Sequence, residues 1–184
     1  MRIIFGFVFP ALILLGACSS IGETLDTRQN AGPCPTVGAL YETSRIIEFS
    51  SEVESYDNIA YTGEINGVRL YCRYAAEDPL LAEIEIDFAF GKGPQAANET
   101  RTYTYFVAVT RRDRTVLNRQ TFTIDANFKG QRVIRLQDVI GDIVIPRKDT
   151  TISGANFEIL VGFELTSKQL QFNREGKRFR LDAG

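Results

Sequence analysis

The residues from Leu81 to Phe90 alternate in a way that few folds can use. Ala82, Ile84, Ile86, Phe88 and Phe90 fall on one face, and Glu83, Glu85 and Asp87 fall on the other. A period of two belongs to a strand with one side in a core and one in water. The period recurs along the chain. Arg45 to Phe49 is a short strand. Ile59 to Ile65 gathers Ile59, Tyr61, Gly63 and Ile65, and Val68 to Tyr74 gathers Val68, Leu70, Cys72 and Tyr74. Between them, Asn66-Gly67 predicts a type I′ hairpin, because both residues tolerate positive φ. Tyr103 to Thr110 is apolar on both faces beyond Tyr105, as in a central strand. Thr115 to Phe128 is long enough to bend or to change sheets. The stretches 131–137, 142–146 and 157–166 complete the set.

Eight or nine strands at a spacing of about 8–12 residues predict an all-β fold. The expected architecture is an Ig-like or fibronectin-like antiparallel β-sandwich over residues 34–175, with a short C-terminal helix. Long helical patterns do not alternate with the strands, which argues against a doubly wound parallel sheet. A lipocalin-type barrel is the competing architecture, and the short, unequal strands count against it. Thr166 and Gln169 have the spacing of a capping box, and Leu165, Leu170 and Phe172 would dock the helix. Residues 176–184 read as a basic tail that frays.

The start of the chain carries an address. Ile3 to Leu15 is nearly all apolar and too short to span a bilayer, which takes about 20 residues. A leading Arg2, a short apolar run and small residues before a cut describe a signal peptide over residues 1–17. Leu15-Gly16-Ala17-Cys18 resembles the lipobox of bacterial lipoproteins. That resemblance implies lipidation of Cys18 and cleavage before it. Ser19, where that family uses Asp for inner-membrane retention, implies the periplasmic face of the outer membrane. Residues 18–33 are polar and read as a tether reaching on the order of 20 Å.

With Cys18 assigned to lipid, Cys34 and Cys72 remain of the three cysteines. In an oxidising compartment they are expected to form a disulfide. It would close a loop of about 39 residues and stabilise by roughly 4 kcal/mol on the chain-entropy model.

Histidine is absent from all 184 residues. That removes the Ser-His-Asp triad, the Cys-His pair and imidazole zinc ligands. The formal net charge of -2 gives no sign of a nucleic-acid partner. No cofactor or metal is expected. Glu83, Glu85 and Asp87 are spaced like a carboxylate pair for glycoside chemistry but read better as a solvated strand face. Tyr71, Tyr103 and Tyr105 are a candidate surface for stacking on a partner. Arg111, Arg112 and Arg114, with Arg119, are a candidate anion or headgroup patch.

Cys34-Pro35, the Cys72-Arg73-Tyr74 run, and the stretches 105–114, 136–146 and 160–174 together resemble a family of uncharacterised proteobacterial envelope lipoproteins. The family has no established activity, so the resemblance implies a location and no site residues. The expected function is a lipid-anchored, non-enzymatic module that binds another envelope protein or peptidoglycan through a sheet face or an edge strand. The alternative is a small-ligand carrier or a histidine-free hydrolase with a pocket between sheets.

Overall fold

Two four-stranded sheets pack face to face in a computed structural model that describes residues 32–74, 79–149 and 151–179. The strands are β1 (Thr36–Ala39), β2 (Arg45–Phe49), β3 (Ile59–Tyr74), β4 (Leu80–Lys92), β5 (Thr100–Arg111), β6 (Val116–Asn127), β7 (Val133–Ile145) and β8 (Phe157–Phe163). One sheet has the order β2-β3-β4-β7 and the other β1-β8-β5-β6. Helix α1 (Ser167–Arg174) follows β8. The expected all-β sandwich with a short last helix is therefore the fold. Pairing is antiparallel except between β1 and β8, which run parallel with Thr36 opposite Glu158.

The core is built by the alternation. Ile84, Ile86, Phe88 and Phe90 of β4 are buried against Tyr103 and Tyr105 of β5 and Ile159, Val161 and Phe163 of β8. Phe90 stacks on Tyr103 with ring centroids 4.3 Å apart, and Phe88 meets Tyr105 at 5.2 Å. Each such side chain contributes about 1.5–3 kcal/mol by leaving water.

Two pairs of expected strands are single bulged strands instead. The hairpin predicted at Asn66-Gly67 does not form. β3 runs through it, with Ile65 opposite Phe88 and Gly67 opposite Asp87, so Asn66 is the extra residue. Neither residue has positive φ. Likewise 131–137 and 142–146 merge into β7. There Ile140 faces Ile84 and Ile143 faces Ala82, and Asp142 takes φ 55°. A bulge and a two-residue turn shift the inward phase alike, so the pattern of apolar residues is the same for both. The uninterrupted β4 decides between them, because it offers one long ladder to both neighbours. β6 neither switches sheets nor bends away from β5.

Cys34 and Cys72 are bonded, with Cα atoms 5.8 Å apart. Cys72 packs against the core, while Cys34 is exposed. Beside them the Tyr74 hydroxyl donates to the Pro33 carbonyl at 2.7 Å and accepts from the Gly154 N–H at 2.8 Å. The start of the domain is thus tied to the end of β3. The expected capping box is present, with Thr166 and Gln169 bonded reciprocally. The tail does not fray at once. Phe179 packs on Phe49 and Phe172, and Arg178 pairs with Glu64 at 2.7 Å. Cys18, the signal segment, nearly all of the tether and residues 180–184 lie outside the described residues. No helix of the described residues is long and apolar enough to cross a membrane.

Candidate functional site

The three tyrosines expected to share a surface do not. Tyr103 and Tyr105 lie on β5 at alternate positions that point between the sheets, and they are 1% and 0% exposed. Tyr103 donates to the Thr62 carbonyl at 3.1 Å and Tyr105 to the Asp138 carboxylate at 2.6 Å. Burial pushes both phenols well above the usual tyrosine range, and the Asp138 bond raises Tyr105 further. They are core residues with satisfied hydroxyls, which corrects the expectation of partner contact. The reason is β5's central place: its odd positions face the other sheet. Tyr71 belongs to the opposite sheet and is 53% exposed.

Of the three carboxylates of β4, Glu85 and Asp87 form an ion-pair group, while Glu83 forms no salt bridge among the described residues. Arg69 on β3 binds Glu85 at 2.9 Å and pairs with Asp87 as well. The Arg69 hydrogen bond holds Asp87 below the usual carboxylate range. A carboxylate fixed by a guanidinium is a poor proton donor near neutral pH. Arg111, Arg112 and Arg114 are exposed in the β5–β6 turn, where Arg114 takes φ 71°. Arg119 is separate from them. It pairs with Glu164 at 2.5 Å and lies 4.3 Å over the Phe106 ring.

A groove of about 560 Å³ opens where β2 parts from β5, closed on one side by the start of α1. Glu48, Glu52, Glu54 and Glu164 line it, and each is paired. Arg101 binds Glu48 at 2.9 Å, Lys168 binds Glu52 at 2.5 Å, and Lys177 binds Glu54 at 2.7 Å. The Lys168 bond keeps Glu52 below its ordinary range. The groove is large enough for a ligand, but its charges are neutralised internally. A second hollow of about 70 Å³ under residues 177–179 has room for a few waters. Among the described residues no group of three Asp, Glu or Cys is placed to hold a metal.

The sheet edges differ in a way the sequence does not announce. β2 is an edge, but α1 covers it. Gln169 donates to the Ile47 carbonyl at 3.1 Å, and Asn173 donates to the Arg45 carbonyl at 2.8 Å. β1 is four residues long. β7 is broken by its bulge. β6 is twelve residues long, pairs with β5 on one side, and has no strand on the other among the described residues. Its ladder is regular from Asn118 to Asn127. The Phe128 N–H bonds to the Glu99 carbonyl at 2.8 Å, and antiparallel bonding alternates. Residues 118, 120, 122, 124 and 126 therefore bond inward to β5. Arg119, Thr121, Thr123, Asp125 and Asn127 turn their N–H and C=O outward. Natural edges are commonly guarded by Pro, Lys, bulges or covering elements. Between Asn118 and Asn127 there is no Pro, Lys or bulge. That absence was the one readable signal.

Comparison with family models, curated proteins and solved structures gave no match.

Proposed function

We propose that this chain is a lipid-anchored module of the bacterial envelope that acts by binding, with no bond-making step. The lipobox pattern at Leu15 to Cys18 supports the anchor, with Ser19 favouring the periplasmic face of the outer membrane. The Cys34–Cys72 bond suits an oxidising compartment. The observation that carries binding is the open β6 edge beside three edges that are covered, short or broken. An extended segment of another envelope protein would add as a fifth strand, using backbone hydrogen bonds. Peptidoglycan glycan has no such ladder to offer.

A photo-crosslinker at Thr121, in native membranes, tests this. A crosslinked partner protein is expected, and Thr123→Pro should abolish it, because proline removes an outward N–H. Crosslinks unchanged by Thr123→Pro would overturn the edge. A crosslink to a second copy would replace the foreign partner by self-pairing.

The groove between β2 and β5 favours a second reading, a small-ligand carrier or histidine-free hydrolase. A single groove substitution such as Glu48→Gln that abolished the cellular phenotype at unchanged abundance would favour it.

A further inference from the structure

The described chain begins at Gly32, and Cys34 is tied to Cys72 near the end of β3. The two bonds of Tyr74 to Pro33 and Gly154 add to that tie. The place where the tether leaves the domain is therefore set. Strand register shows what else lies at this end. β7 finishes there, with Ile145 opposite Leu80. β8 begins there, with Phe157 opposite Arg111. The β5–β6 turn closes there, with the Arg112 N–H on the Asn156 carbonyl at 3.2 Å.

This leading end carries Arg73, Arg111, Arg112, Arg114 and Lys148, all exposed. None forms a salt bridge with a carboxylate of the described residues. Arg147 stacks over the Tyr74 ring at 4.9 Å. The nearby carboxylates of Asp113 and Asp149 accept from the Thr115 and Thr151 N–H groups of their own turns at 2.9 Å, and feel the charges of Arg111 and Arg147 without bridging to them. The sequence linking β3 to β4 adds Glu77 and Asp78. Elsewhere Arg45 lies over the Tyr41 ring, Arg132 bonds the Tyr56 hydroxyl, and Lys129 and Arg135 form no salt bridge among the described residues, but most cations are paired. Lys92, Arg101, Lys168, Arg174, Lys177 and Arg178 are each paired with a glutamate. Next to the arginine turn, Val116 is 58% exposed.

We propose that this leading end lies on the membrane, with Arg111, Arg112, Arg114, Arg73 and Lys148 against anionic phospholipid headgroups. The proposal rests on the Cys18 anchor. A tether reaching on the order of 20 Å holds this end near the bilayer. That is within a few Debye lengths of about 8 Å, so the surface field acts on it. Each lysine or arginine at an anionic surface gains about fivefold in occupancy, the equivalent of about 1 kcal/mol. The lipid would hold the protein to the membrane, and the arginines would set its orientation. With this end down, the β6 edge runs away from the bilayer and stays open to a partner.

The test uses full-length protein extracted from membranes and reconstituted in phosphatidylcholine vesicles with or without phosphatidylglycerol. Hydrogen exchange of residues 111–115 and 147–149 is the readout. Phosphatidylglycerol should slow it several-fold, high salt should remove the effect, and the combined Arg111→Gln, Arg112→Gln and Arg114→Gln variant should lose most of it. The same variant should keep its disulfide and its urea midpoint, which shows that it is folded. Equal exchange in both vesicle types, or protection that survives the triple change, would overturn the proposal. Retention on pure phosphatidylcholine reports the anchor separately. Protein that washes off those vesicles would overturn the anchor whatever the exchange shows.

Discussion

The side-chain amide of Asn173 donates to the Arg45 carbonyl at 2.8 Å, so the last helix closes the edge of an early strand. The same amide donates to the Glu42 carbonyl at 2.7 Å, and Asn173 is 2% exposed. One buried amide thus serves a carbonyl at the edge of β2 and a carbonyl of the short turn before it. Asn173→Ala should cost about 1–3 kcal/mol, the desolvation cost of orphaned polar groups. Urea unfolding measures it. A loss below a few tenths would mean that water takes over both carbonyls.

The disulfide and Tyr74 act on the same few residues. Removing the bridge by Cys34→Ser with Cys72→Ser should cost about 2–5 kcal/mol. Tyr74→Phe, which deletes the bonds to Pro33 and Gly154, should cost about 1–3 kcal/mol. Groups that share a segment do not add independently. The combined variant should therefore fall short of the sum, as a double-mutant cycle on denaturant midpoints would show.

The buried phenols set an alkaline limit. Tyr103 and Tyr105 keep their protons in the fold because burial penalises the phenolate. In the unfolded chain each ionises near its ordinary value of about 10. Above that pH the unfolded state binds fewer protons than the native one, so stability falls as pH rises. Below it their contribution is fully present. Ultraviolet titration should show two tyrosines that ionise only when near-ultraviolet dichroism is lost. Ionisation of all tyrosines without loss of that signal would contradict their burial.

Proline placement reads the outward and inward positions of β6. Thr123→Pro loses an N–H that faces away from β5, and the fold should survive it. Ile124→Pro loses one that bonds Tyr103, and should cost about 3 kcal/mol or more. Thermal unfolding of the two variants, side by side, should separate them clearly. Equal destabilisation would mean that the alternation deduced for β6 is wrong.

Much of this fold is legible in the residues. The inward set of β4, from Ala82 to Phe90, was readable because every second residue is apolar and the others are acidic. The capping box at Thr166 was readable because its bonds are local. Cys34 and Cys72 were readable from parity, once Cys18 is set aside for a lipid. What was not readable depends on distant partners. Asn66-Gly67 suits a turn by local preference, and only the length of β4 shows that it is a bulge. Tyr103 and Tyr105 suit a binding face by type, and only the second sheet buries them. β1 has too few residues to show a period at all. The open edge of β6 stands out only beside edges that are covered, short or broken, and Asn173 covers one of them from the far side of the sequence.

The parallel pairing of β1 with β8 imposes an order of events on the chain. Thr36 meets Glu158, so 158 − 36 = 122 positions separate partners that must lie side by side. Cys34 and Cys72 are only 38 apart. A chain delivered from its N-terminus can close the disulfide while most of its strands are still absent. β1 must then wait, held near its destination by that bridge, until β8 arrives to receive it. The first strand of the domain gains its ladder partner only when the last strand is made, and the covalent link shortens that search.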